Sequence, residues 1–170
     1  VTCDVSDSTQ VAEMIGQTTQ RFGQIDILVN NAGIIQVGPL ETNTLQDFRD
    51  AVGVMQWGTI FCTLGVLPEM LRRRKGRIVN ITSIGGKLSV PHMLPYSTAK
   101  FAAVGFTEGL RAELSPKGIQ VTTIVPGLMR TGSQFNGLFK GDVVREFTWF
   151  GVAGSLPIMS MDAERAAREI

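Results

Sequence analysis

Three short, predominantly apolar runs constrain the fold of this chain more than any other feature: Ile25-Asp26-Ile27-Leu28-Val29, Gly76-Arg77-Ile78-Val79-Asn80-Ile81-Thr82 and the segment from Ile119 to Val125. Each is too short for a helix and rich in β-formers, so each reads as a buried strand. Between them lie longer stretches with apolar residues at helical spacing. Val11, Met14, Ile15, Thr18 and Phe22 form the first, opened by Ser6-Asp7-Ser8 as cap material and closed by Gly23. A second runs from about Thr44 through Leu71, bent near Gly53 and Gly58, and a third reaches about Ser115 after a loop from Ser83 to Leu94. Strands buried on both faces and alternating with helices predict a parallel sheet covered on two sides, an open, doubly wound α/β fold.

The remaining segments read as follows. Val1–Val5 has the look of a short strand, 34–43 that of a loop, and 128–159 that of an irregular, aromatic-rich stretch. Ser160 is the expected cap of a last helix that carries Asp162 and Glu164 in its first turn and stops at Ile170 in mid-pattern. At 170 residues and 44% hydrophobic, with no shift in composition, one domain over 1–170 is expected. A net charge of +1 and a single cationic run, Arg72-Arg73-Arg74-Lys75, argue for a helix C-terminus and against a nucleic-acid partner. Cys3 and Cys62 have no neighbours at metal-ligand spacing, so no metal is expected. The lone histidine, His92, lies in a loop and reads as a partly exposed side chain. No apolar run approaches the ~18 residues of a membrane span and no secretory signal opens the chain, which gives the expectation of a cytoplasmic protein.

In a doubly wound sheet ligands bind beyond the carboxyl ends of the strands, which singles out Asn30–Gly33, Ser83 and Pro126–Thr131. The sharpest constellation is Tyr96 with Lys100, one helical turn apart on one helix face. A phenol near pKa 10 is a poor acid or base at neutral pH, and an adjacent ammonium is expected to lower that pKa by ~1–3 units. Ser83, at the end of its strand, offers a hydroxyl that can hold a substrate oxygen without titrating.

Taken together, Ile78-Val79-Asn80-Ile81-Thr82-Ser83, Tyr96-Ser97-Thr98-Ala99-Lys100, Asn30-Asn31-Ala32-Gly33 and Pro126-Gly127-Leu128-Met129-Arg130-Thr131 resemble the short-chain dehydrogenases/reductases. The resemblance spans nearly the whole chain and implies a Rossmann-like fold, NAD or NADP as cofactor, and hydride transfer between an alcohol and a carbonyl compound. It implies Tyr96 as proton donor or acceptor and as a contact of the cofactor, Ser83 as the group orienting the substrate oxygen, and Lys100 as both pKa modulator and ribose ligand. Asn30, Ala32 and Gly33 would line the adenosine side and steady the sheet, and Asp4 and Val5 would touch the adenine. Pro126, Gly127 and Thr131 would hold the nicotinamide carboxamide. The helices around 44–71 and 95–115 resemble the family's dimer faces, so a homo-oligomer is expected.

Two departures stand out. The family places an asparagine three residues before a glycine in the long helix, as part of a proton relay to the lysine. Here that position is Met55, whose thioether cannot donate, and Gln56 could substitute only if the helix were locally distorted. The glycine-rich, phosphate-binding strand-turn-helix of the family does not occur in these 170 residues, which predicts an N-terminal shortening of at least about fifty residues. The chain as it stands is then expected to bind dinucleotide poorly, to show no turnover and to leave Val1–Val5 without a neighbouring strand. The aromatics Phe135, Phe139, Phe147, Trp149 and Phe150 lie where the family carries a lid. They suit an apolar substrate, or packing of the lid onto the body or a neighbouring subunit. Two other readings are a catalytically silent dinucleotide-binding or regulatory protein, and a sugar-nucleotide epimerase or dehydratase. Intact Ser83, Tyr96 and Lys100 weigh against the first, and Asn30-Asn31-Ala32-Gly33 against the second.

Overall fold

The computed structural model describes residues 1–155 and 160–169. Helix α1 (Ser8–Phe22) starts where the Asp7 carboxylate accepts the backbone N–H groups of Thr9 and Gln10, and it ends at Gly23, φ +83°. Strand β1 (Ile27–Asn30) and the two-residue β2 (Gln36–Val37) lead to α2 (Leu45–Val52), which opens with a reciprocal capping box between Thr44 and Asp47. A π-helical turn, Gly53–Trp57, joins α2 to α3 (Gly58–Arg73). It accounts for the bend expected near the two glycines. Strand β3 (Gly76–Ile81), helix α4 (Leu94–Leu114) and strand β4 (Ile119–Ile124) follow at the expected places.

The three long strands form a parallel sheet in the order β1-β3-β4, with Leu28 beside Ile78 and Ile78 beside Val121. Their inward residues, with Val66 and Met70 of α3 and Leu114 of α4, make the main core, against which Ile15 of α1 and Leu110 also pack. Within the described residues α1, α3 and α4 thus share one face of the sheet. The expectation of burial on both faces is met on that face alone: Arg77, Gln120 and Thr122 are exposed on the other, as are Ile27 and Val29 of the edge strand β1 at 55% and 54%. An edge of this kind presents unpaired backbone groups.

Three further expectations are corrected. Val1–Val5 forms no strand, because a strand needs a partner and none lies beside it; Asp4 instead accepts from the Ser6 backbone and hydroxyl. The stretch after β4 is ordered into β5 (Leu128–Arg130), β6 (Leu138–Phe139), helix α5 (Val143–Ser155) and β7 (Ser160–Asp162). The pairings β2-β6 and β5-β7 are long-range, which is why no local period announces them. Ser160 lies in β7, and the cap of α6 (Ala163–Glu169) is Asp162, whose carboxylate accepts from the Glu164 and Arg165 backbone. By length and composition alone the helical run Leu45–Arg73 could cross a bilayer. In the fold its α2 part packs on α4 and its α3 part on α1 and the sheet.

Candidate active site

Each element places its functional residue through local constraints. Ser83 lies two residues beyond the carboxyl end of β3 in extended backbone, and its hydroxyl accepts the Gly85 N–H at 3.0 Å, starting the tight turn Ile84–Gly86. The turn packs under α4. A Cβ added to Gly86 would come within 2.6 Å of the Lys100 carbonyl oxygen, so only glycine lets the helix this close. A Cβ at Gly85 would lie 3.0 Å from Tyr96 Cε1 and 3.5 Å from Ser83 Oγ, so a side chain there would press on both the phenol ring and the hydroxyl. The glycine pair after Ser83 was the sequence signal for both roles, and it went unread.

Ser83 and Tyr96 line one cleft of about 150 Å³ with Gly127, Thr131, Ile35, Val90, Met93 and Phe150. None of its lining side chains is charged. Lys100 lies behind Tyr96, buried, with Nζ 5.7 Å from the ring centroid and donating to the Ile81 carbonyl at 2.9 Å. The expected lowering of the Tyr96 pKa is not what the surroundings produce. Burial pushes the phenol above its ordinary value of 10, and the Ser83 hydroxyl pulls in the opposite sense. The ammonium faces the ring and the Ile81 carbonyl, while its own pKa is lowered by burial to about 8.

The residues expected on the cofactor's far side gather around a second hollow, of about 260 Å³, lined by Val5, Asn30, Asn31 and Ala32 together with Gly58 and Cys62. Asp4 lies beside it, outside the lining. Asn30 ties the layers together: its Nδ2 donates to Asn80 Oδ1 at 2.8 Å and Thr63 Oγ1 at 3.3 Å, and Asn80 Nδ2 donates to Thr107 at 2.8 Å. This polar ladder crosses β1, β3, α3 and α4, and Asn80 within it is fully buried. The Pro126 carbonyl accepts the Ile84 N–H, fixing the strap after β4 to the loop after β3.

Gly33 follows Ala32 in the chain and faces Met55 and Lys100. A Cβ there would stand 3.6 Å from Met55 Sδ and 3.9 Å from Lys100 Nζ. The π-helical turn therefore does not bring Gln56 to the relay position. Met55 occupies it, 2% exposed and packed with Ala51, Ala99, Ile34 and Tyr96, and its carbonyl accepts the Thr59 hydroxyl at 2.9 Å.

The aromatics between Phe135 and Phe150 form one cluster. Phe139 meets Phe147 and Phe150 edge-on at 5.4 and 6.1 Å between centroids, and Phe135 lies 6.0 Å from Phe147. The segment between β6 and α5 is pinned by Lys140, which donates to Asp47 at 2.5 Å. That bond, with those from Thr44, holds the Asp47 carboxyl down to about 2.

An α/β fold with a hydroxyl, a phenol and a buried ammonium gathered beyond the carboxyl ends of parallel strands defines the class of protein, and sequence comparison specifies it. The model of the short chain dehydrogenase family matches residues 1–136, and the chain belongs to that family. It is 36% identical over 131 residues to the 3-oxoacyl-[acyl-carrier-protein] reductase of Synechocystis, covering 77% of this chain and 53% of that protein. A short-chain dehydrogenase from Streptomyces avermitilis superposes with a TM-score of 0.87 at 31% identity, over 99% of this chain and 63% of that one. The gluconate 5-dehydrogenase of Burkholderia cenocepacia, solved with NADP and tartrate, superposes with a TM-score of 0.73 at 34% identity, over 77% and 51%. The chain spans about half the length of the curated relatives it matches. The family's oxidoreductases use NAD(P), and solved members hold NADP or NAD+.

Proposed function

We propose that the protein interconverts an alcohol and a carbonyl compound with NAD or NADP, Tyr96 being the proton donor or acceptor, Ser83 the hydroxyl that orients the reacting oxygen, and Lys100 the cation behind them. The observation that carries this reading is the convergence of Ser83 and Tyr96 on one uncharged cleft, with Lys100 buried at their back. The site fits a dinucleotide in two respects. The Lys100 ammonium has three donors and gives one to Ile81, leaving others for ribose hydroxyls. Gly33 presents no side chain between that ammonium and the hollow beside Asn30 and Ala32.

The nicotinamide supplies the hydride or takes it up. The chain's residues hold the oxygen and move the proton. Ser83 Oγ–H donates to a carbonyl oxygen while the Tyr96 phenol, protonated at neutral pH, gives up its proton as charge builds there. In the reverse direction the phenolate takes the alcohol proton, and the Lys100 charge behind the ring favours the ionised phenol from which that step starts. Asp4, Val5, Asn30 and Ala32 serve the adenosine side, and Gly127 and Thr131 the nicotinamide side. A wall of Ile35, Val90, Met93 and Phe150 without a charge suits an apolar alcohol or ketone.

A catalytically silent dinucleotide-binding role is the second reading, favoured by the Met55 thioether at the relay position. Nicotinamide absorbance in the full-length protein, followed with a panel of apolar ketones and alcohols and with Tyr96→Phe as control, separates the two. Turnover lost in the variant supports the oxidoreductase reading. No absorbance change in the unmodified protein defeats it. Trp57 stacked on Phe61 at 5.7 Å, with Leu64 and Phe101 exposed, suits a face between copies of this chain, which light scattering tests.

A further inference from the structure

Glu146, on the lid helix, has 4% of its surface exposed, and its partner comes from a different part of the chain. His92 Nδ1 lies 2.7 Å from Glu146 Oε2, and since a carboxylate accepts, the histidine donates. His92 has φ +66°, an uncommon conformation for a residue with a side chain, so its surroundings must hold it there. They do so at three points. Its carbonyl accepts the Gly38 N–H at 2.8 Å, its ring lies 6.1 Å from that of Trp149, and its Nδ1 reaches Glu146.

The anchored segments are those that wall the cleft. Val90 and Met93, on either side of His92, line it from the loop after β3, and Phe150, one turn beyond Glu146, lines it from α5. Of the charged groups around the pair, Arg145 shares the outer hollow with Pro91 and Trp149, and Lys140, at the start of the segment leading into α5, is bound to Asp47. We propose that His92 and Glu146 are a positioning pair that fixes α5 against the loop after β3, so that Phe150 stands across from Ser83 and Tyr96 and sets the size of apolar substrate admitted. The role as substrate wall rests on the oxidoreductase reading; the pairing itself does not.

The test uses the full-length protein in a Trp57→Phe background, which leaves Trp149 as the one tryptophan of these residues. Three variants are compared: Glu146→Leu, Glu146→Gln, which keeps an acceptor for His92, and His92→Asn, which tolerates the left-handed backbone. In Glu146→Leu and His92→Asn, Trp149 emission moves to the red and becomes more accessible to acrylamide. The kcat/KM ratio between a bulky and a small apolar ketone changes by about tenfold in the same two variants, the effect of a charge-assisted hydrogen bond, while Glu146→Gln stays within about threefold of the parent. Unchanged Trp149 emission in both variants overturns the pairing. Turnover in the parent with an unmoved size ratio overturns the substrate-wall role and leaves the oxidoreductase reading intact. No turnover in the parent defeats that reading, and the wall role with it.

Discussion

Replacing Lys100 by methionine is expected to make the folded protein more stable at neutral pH while abolishing its chemistry. Burial lowers the Lys100 pKa from 10.5 to about 8, so the charged ammonium is about 3 kcal/mol worse off in the fold than in the unfolded chain. Methionine fills a similar volume without that penalty. It also leaves the Ile81 carbonyl without its 2.9 Å partner, a loss of about 1–2 kcal/mol. The net gain at pH 7 is then about 1–2 kcal/mol, or roughly 2–8 °C in Tm for a chain of this size. The pH dependence has a definite sign. Between about pH 8 and 10.5 the unfolded chain holds a proton that the folded one has shed, so the lysine protein gains stability as pH rises through that window. The advantage of methionine therefore shrinks and reverses there, leaving only the lost hydrogen bond. Urea unfolding of both proteins without cofactor at pH 7, 9 and 10.5 reads this directly. A methionine variant less stable than the parent at pH 7, or a stability gap that ignores pH between 8 and 10.5, refutes the assignment of Lys100 as a charge buried for function.

The remaining predictions concern the same site. Tyr96→Phe is expected to lower turnover by about 10²–10⁴-fold, while dinucleotide affinity by fluorescence titration falls by no more than about tenfold, the loss of one hydrogen bond. Because burial holds the Tyr96 phenol above 10, alcohol oxidation should accelerate as pH rises from 7 toward 10 while carbonyl reduction does not; stopped-flow rates in both directions check this. Met55→Asn should raise turnover and alter its pH profile by restoring a donor beside Lys100. It should also destabilise by about 1–3 kcal/mol, since the amide enters an apolar cluster with Ala51 and Ala99. An unchanged rate and profile would end the relay argument. Gly86→Ala should destabilise by about 1–3 kcal/mol and depress turnover, because the new methyl meets the Lys100 carbonyl and Val104; equal urea midpoints would contradict it.

Much of this molecule was readable before any coordinates, wherever the information is local. The strands β1, β3 and β4 are short runs rich in β-formers, Asp7 and Gly23 bound α1 by their own chemistry, and the Tyr96 and Lys100 spacing places both on one helix face by helical geometry alone. The Met55 departure could be seen by counting back from Gly58. The π-helical turn between Gly53 and Trp57 was foreshadowed only as a bend, because glycines mark where a helix can distort without saying which way it turns.

What the sequence determined by itself was the order of strands and helices and the placement of Tyr96 and Lys100 one turn apart and of Ser83 just past a strand, since these follow from periodicity and spacing along the chain. The tertiary structure decided the rest, because it depends on groups far apart in sequence. Burial, a property of the whole surroundings, turned the expected lowering of the Tyr96 pKa into a rise. Long-range pairing ordered the aromatic stretch into β5, β6, α5 and β7, and fifty-four residues of chain separate the histidine and glutamate that hold the lid. Residues so distant meet only when the fold brings them together, and no local pattern records that they will.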